Sequence, residues 1–292
     1  MGKTHILSND KITIKVNDLG AQLTALIKND TNYNYLWDGK PEFWTGQSPI
    51  LFPIVGKVKN NEYQYNGSTY PMKQHGFARN SEFELLSISE NEIWHRLTSN
   101  DVIREVYPFD FTLDIGYKLE DTKVIVMWKV QNMGKDILHF SIGGHPAFFC
   151  PLYDNEKQSD YSIDFHTNSP ITYLLVDENG YVDKTEHVLD TTNGVFHITD
   201  NLFDNDALII ENSQAQRISF LGPDNKAYVT VSFDAPLFGL WSPAKKNAPF
   251  ICIEPWYGRS DSTTFNGTLE EREWSNSLKH NEVFERSYLI EL

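Results

Sequence analysis

Residues 109–130 read FDFTLDIGYKLEDTKVIVMWKV. Phe109, Phe111, Leu113, Ile115, Tyr117 and Leu119 take the odd positions, and Asp110, Thr112, Asp114, Gly116 and Lys118 separate them. A two-residue period is the side-chain period of a β-strand, whose successive Cβ atoms point to opposite faces. The stretch therefore predicts a strand with one buried face. Val124, Val126, Trp128 and Val130 repeat the pattern with Lys129 on the other side, and Asp121-Thr122 between the runs reads as a hairpin turn.

Outward from this hairpin the same signal recurs. Val229, Val231 and Phe233 alternate with Tyr228, Thr230 and Ser232, and shorter strands are expected at 11–16, 63–65, 82–88, 92–98 and 217–221. Turn chemistry punctuates the chain at Asn66-Gly67, Asn179-Gly180, Asn193-Gly194 and Gly222-Pro223-Asp224-Asn225. The best helix candidate is 269–278, because Thr268 and Glu271 have capping-box spacing. Many short strands with few short helices predict an all-β fold, a large antiparallel sandwich or barrel. No repeat, low-complexity tract or linker divides the chain, so residues 1–292 read as a single domain.

Composition narrows the partners. The 292 residues carry 40 acidic and 25 basic side chains, a formal charge of −15, which repels nucleic acid and anionic lipid. Any affinity for a phosphorylated substrate must then come from a local basic cluster. The first 20 residues hold no apolar run of signal-peptide length, and no window approaches the ~18 apolar residues of a membrane span. Cys150 and Cys252 are too few for a disulfide framework and read as free thiols, Cys252 lying two residues before Glu254. A cytoplasmic chain acting on a small molecule, as monomer or homodimer, is expected.

Three segments break the strand pattern: 48–60 continuing to QHGFAR at 74–79, SIGGHPAF at 141–148, and FICIEPWYG at 250–258. His75 precedes Gly76, and His145 sits between Gly143-Gly144 and Pro146. Glycine permits positive φ or close backbone approach, and proline fixes the exit, so both settings suit an imidazole aimed at a ligand. Glu254 ends the apolar run 250–253, where burial favours the neutral acid and strengthens the base. The remaining histidines, His5, His95, His139, His166, His187, His197 and His280, read as structural. Trp241 and Trp256 flank the Glu254 segment and could face a ligand.

Jointly, PILFPIVGKVKN, QHGFARN, GGHPAF, LFDNDALII, LWSP and CIEPWYG resemble, in order and across nearly the whole chain, the aldose 1-epimerase (galactose mutarotase-like) superfamily. The bacterial branch with LacX-type and hexose-6-phosphate epimerase relatives is the most similar. The resemblance implies a galactose-mutarotase-like β-sandwich with an open sugar cleft. It implies that His145 protonates the ring oxygen, that Glu254 takes the proton of the anomeric hydroxyl, and that His75 binds and polarises the ring. It also implies substrate contacts from Arg79 and Asp206. Hemiacetal opening needs one acid and one base, jobs that imidazole and carboxylate perform near neutral pH. No cofactor and no metal is expected. Where the hexose-phosphate relatives carry arginine in this segment the chain has Lys57, which with Lys59 and Arg79 would form a weaker phosphate cluster. A carbohydrate-binding protein without chemistry, a metal-dependent enzyme using His75, His145 and Glu254, and a glycoside hydrolase remain as rivals.

Overall fold

In the computed structural model, which describes residues 2–292, the strands Phe111–Glu120 and Lys123–Asn132 form an antiparallel hairpin in register from Phe111↔Asn132 to Glu120↔Lys123. Asp121 turns the chain with φ +54°, a left-handed conformation that aspartate tolerates. The expectation of one buried face needs correction, because Thr112 and Asp114 on the other face are buried too. Side chains of the neighbouring strand Glu92–Thr98 reach over that face. Arg96, paired in register with Asp114, grips its carboxylate through two 2.7 Å hydrogen bonds, and Trp94 lies over Gly116.

The hairpin belongs to a nine-stranded antiparallel sheet. On one side follow Glu92–Thr98 and Glu84–Ile88. On the other follow Val283–Glu291, Ala227–Phe233, Arg217–Leu221, Ser162–Asp164 and Val195–His197. An eight-stranded sheet runs Val182–Leu189, Ile171–Val176, Leu208–Ile210, Leu237–Trp241, Phe250–Tyr257, Ile142–Gly144 and Ile50–Leu51, with Ala147–Phe149 also paired to Phe250–Tyr257. The N-terminal strands Thr4–Ser8, Ile12–Asn17, Leu23–Lys28 and Tyr33–Asn34 make a four-stranded sheet. One apolar cluster takes Ile14 from the N-terminal sheet, Phe111 and Ile115 from the nine-stranded sheet, and Phe238 and Ile253 from the eight-stranded sheet. Each such side chain, fully buried, stabilises by ~1.5–3 kcal/mol, so this shared core presses the three sheets together. The fold is an all-β antiparallel sandwich.

The expected helix at 269–278 shrinks to the 3₁₀ turn Leu269–Glu271, with its capping box formed: Thr268 N–H donates to Glu271 Oε2 at 2.8 Å. Tertiary contacts stop it there. Arg272 is buried, donating to Asp261 Oδ1 at 2.6 Å and to the Arg259 carbonyl at 2.9 Å. Trp274 takes φ +62°, and Asn276–Leu278 becomes a strand against Leu138–Phe140. The one α-helix among the described residues is Asp101–Val106, capped by the Asn100 side chain, which accepts the Ile103 N–H at 2.9 Å.

Candidate active site

Strand Phe250–Tyr257 is buried along its whole length. Its alternation puts Cys252, Glu254 and Trp256 on one face. Opposite Glu254 in register stands Gly239, where a Cβ would come within 2.5 Å of the Trp256 ring; on the other flank a Cβ at Gly143 would meet that ring at 2.6 Å. Neither Gly143 nor Gly144 has positive φ among the described residues. The glycine pair before His145 therefore makes room for packing, Gly143 for Trp256 and Gly144 for Tyr288, rather than for a ligand.

Backbone contacts with residues 49–51 fix His145: its N–H donates to the Pro49 carbonyl at 3.1 Å, and Gly144 pairs with Ile50. The imidazole Nε2 lies 3.2 Å from Glu254 Oε2. Both groups are buried, yet His145 Nδ1 and Glu254 Oε2 have no hydrogen-bond partner in the protein. Buried polar atoms are nearly always paired, so their open capacity at the floor of a cleft points to a polar ligand. Burial, with the Arg79 charge adding to it, lowers the His145 pKa to about 3. Burial and the charge of Asp206 push Glu254 well above the ordinary carboxylate range. Both shifts favour the uncharged forms, a neutral imidazole beside a protonated carboxyl, with one titratable proton between them.

His75 takes φ +65°, and Gly76 after it has φ +68° and abuts the Phe52 carbonyl so closely that no Cβ fits. His75 Nδ1 accepts the Gly56 N–H at 3.1 Å. Burial, then His145 and Arg79, keep the ring neutral, so its proton sits on Nε2, which becomes a fixed donor. The rings of His75 and His145 meet edge to face, 5.8 Å between centroids.

The cleft above these groups measures about 270 Å³, a size suited to one small polar ring. Trp44, Trp241 and Trp256 wall it; Trp44 and Trp241 lie 4.8 and 5.3 Å from the His145 ring centroid. Arg79 lines the cleft and donates to the Gln74 carbonyl at 2.9 Å. Asp206, with φ +71°, stands at the rim and accepts the Ala207 N–H at 2.8 Å. Lys57 stays outside: its ammonium donates to the Asn179 carbonyl at 2.8 Å and rests over Tyr181. Lys59 donates to the carbonyls of Thr263 and Phe265. The three-cation cluster is not assembled, and Arg79 is the one Lys or Arg lining the cleft among the described residues. At this site the potential ligand atoms within 4.8 Å of one another are those of His145, Cys252 and Glu254, without His75.

Residues 3–275 match the family model described as aldose 1-epimerase. The chain belongs to the aldose 1-epimerase family. Chromosomally encoded protein LacX of Lactococcus lactis subsp. lactis is 31% identical over 293 residues, 97% of both chains. Among solved structures, the galactose mutarotase related enzyme from Lactobacillus acidophilus superposes with a TM-score of 0.94 at 32% identity, covering 99% of this chain and 97% of its own. A galactose mutarotase-like protein from Lactobacillus casei ATCC 334 gives 0.93 at 27% identity, covering 99% of each. Family and fold thus agree with the aldose 1-epimerase resemblance. Cys252 shares the Glu254 face of its strand but is fully buried and does not line the cleft, whereas Trp44 does. Trp44 arrives from an irregular loop, where no periodic pattern reports direction.

Proposed function

We propose that this chain is a mutarotase, opening and reclosing the hemiacetal of an aldohexose with Glu254 and His145. The observation that carries the reading is the 3.2 Å approach of His145 Nε2 to Glu254 Oε2, with hydrogen-bonding capacity open on both groups at the base of the cleft. The two oxygens that exchange protons in mutarotation, the anomeric hydroxyl and the ring oxygen, sit on one carbon. An acid and a base in contact can address both at once.

The pair's single proton suits the step. With sugar bound, the proton moves from the Glu254 carboxyl to the His145 imidazole, since polar groups of the sugar stabilise the charged form that the empty site disfavours. Glu254 then removes the anomeric proton while His145 donates to the ring oxygen. The C1–O5 bond breaks, giving the open aldehyde. Rotation about C1–C2 presents the other carbonyl face, and closure reverses both transfers. His75 Nε2–H holds the ring-oxygen side, and Arg79 and Asp206 hold peripheral hydroxyls. Trp241 with Trp44 excludes water and offers flat faces to the sugar's C–H surface. Lys57 acts at most at the rim. The chemistry asks nothing of a metal or cofactor.

Unphosphorylated hexose is the better substrate, because a phosphate would meet only Arg79 and an acidic protein. Two buried free cysteines suit a reducing cytoplasm. The whole chain acts as one domain. Two-dimensional NMR exchange on α-glucose, α-galactose and their 6-phosphates tests the reading: catalysed anomer exchange of a free hexose is expected. Sugar binding without faster exchange would make the protein a carbohydrate-binding module instead.

A further inference from the structure

Two histidines that read as structural, His5 and His95, converge with Asp18 outside the cleft. His5 stands on strand Thr4–Ser8, Asp18 follows strand Ile12–Asn17, and His95 stands on Glu92–Thr98. Asp18 Oδ1 lies 2.7 Å from His5 Nε2 and 3.3 Å from His95 Nε2. The potential ligand atoms of the three residues all fall within 4.8 Å of one another. Asp18 is oriented from behind: its Oδ2 accepts the Lys3 N–H at 2.9 Å, and its carbonyl accepts the Phe83 N–H at 2.9 Å. His95 is wholly buried, and neither of its ring nitrogens has a hydrogen-bond partner.

We propose that His5, Asp18 and His95 form a binding site for a divalent transition ion, best suited to Zn²⁺, that ties the N-terminal sheet to the nine-stranded sheet. A hydrogen bond between His5 and Asp18 satisfies those two residues but leaves His95 Nε2 only its 3.3 Å approach to Asp18 Oδ1, which does not have hydrogen-bond geometry. A cation between the three gives that nitrogen a partner, while Nδ1 is unpaired in either case. Two imidazole nitrogens and one carboxylate oxygen are the donors zinc takes, at ~2.0–2.2 Å each, which sets tetrahedral neighbours about 3.3 Å apart. Of the two separations to Asp18, 3.3 Å already fits and 2.7 Å needs a small outward shift, and the His5 and His95 ligand atoms lie within 4.8 Å of each other. Mg²⁺ and Ca²⁺ want six or more oxygens, and one carboxylate is offered here. The His5 and Asp18 side chains keep 15% and 14% exposure, so the ion has an entry path and a side on which water completes its shell.

The experiment adds Zn²⁺ alone to chelator-treated full-length protein and counts bound metal by dialysis and metal analysis, with thermal unfolding alongside. The His145, Cys252 and Glu254 group is the competing locus, so Cys252→Ser is the control. The wild type is expected to bind one zinc that Cys252→Ser keeps. His5→Ala, truncated at a half-buried strand position, should lose that zinc or bind it at least tenfold more weakly, and should lose the metal-dependent rise in Tm. If the variant proves unfolded, Co²⁺ bound to the wild type decides by absorption. A visible d–d band without a thiolate charge-transfer band supports the two-histidine site. No bound metal, unchanged binding in His5→Ala, or a thiolate band from the tight site would overturn it.

Discussion

Burial displaces the pKa values of His145 and Glu254 in opposite directions, because water is withdrawn from whichever form is charged. The consequence is a pair that keeps one proton over a wide pH range. Below about 3 His145 gains a second proton while Glu254 is still protonated, and no base remains. Above the raised pKa of Glu254 the pair is empty, and no acid remains. We expect kcat/KM for the preferred hexose, corrected for the uncatalysed rate, to stay level above about 3, the lowered His145 value, and to be lost on the alkaline side, well above the ordinary carboxylate range. A loss of rate centred near 4.5, the ordinary glutamate value, would contradict the shared-proton assignment. Glu254→Gln and His145→Asn should each lower kcat by ~10²-fold or more, as general acid–base groups commonly do. His75→Asn should raise KM and lower kcat together. Both single losses act on one step, so the double variant should fall short of their product. If Glu254→Gln kept wild-type exchange, the base would have to be Asp206. His75 and His145 stood out by the glycines and proline around them, and Glu254 by the apolar run before it, although its segment is the regular strand Phe250–Tyr257 and not a break in the pattern. Lys57 was not: its path to Asn179 and Tyr181 depends on a loop more than a hundred residues away in sequence.

Strand Phe250–Tyr257 holds Glu254 in place through its neighbours. Trp256 fills the space left by Gly143 and Gly239 on the two adjacent strands, so the wall of the cleft depends on both lacking a Cβ. Gly239→Ala drives a methyl into the indole. We expect a loss of ~1–3 kcal/mol in stability, the usual range for overpacking, read by urea unfolding. A rise in KM larger than the fall in kcat should accompany it, because the displaced ring borders the sugar and the acid–base pair is not truncated. Unchanged stability and KM would show that Trp256 has room to move. Alternation shows strands of the nine-stranded sheet, with 92–98 and 217–221 matching the bounds observed, but not Phe250–Tyr257, where burial of both faces leaves no alternation. It failed where side chains serve distant partners. The capping box at Thr268 is real, but Arg272 and Asn276 are drawn into hydrogen bonds with Asp261, Phe140 and Tyr257 that a continued helix would forgo. Local pattern carries no record of such partners. For the same reason alternation alone places Asp114 on the solvent face, whereas Arg96 on the neighbouring strand pairs with it.

The molecule as a whole carries a formal charge of −15, and this bears on the choice between a free and a phosphorylated sugar. A phosphate dianion approaching the cleft meets the summed field of the protein and, at contact, the one guanidinium of Arg79. At physiological ionic strength that field is screened over ~8 Å, and at low salt it reaches much farther. The two possible substrates therefore give opposite salt responses. If free hexose is the substrate, its kcat/KM should scarcely depend on salt, because it is uncharged. The 6-phosphate should react poorly at low salt and improve as salt is added, since screening weakens a net repulsion. If the cleft instead held a basic pocket built for phosphate, the 6-phosphate would react best at low salt and lose rate as salt rose, the behaviour of electrostatically steered association. Arg79→Gln sharpens the comparison. With Arg79 holding a sugar hydroxyl, the variant should lose rate on both sugars by a similar factor and leave the sign of the salt response unchanged. A far greater loss on the phosphorylated sugar, together with a falling salt profile in the wild type, would make the phosphate ester the substrate and Arg79 its anchor. Exchange rates at three or four salt concentrations, each set against the uncatalysed rate in the same buffer, decide between them without knowledge of which hexose is preferred.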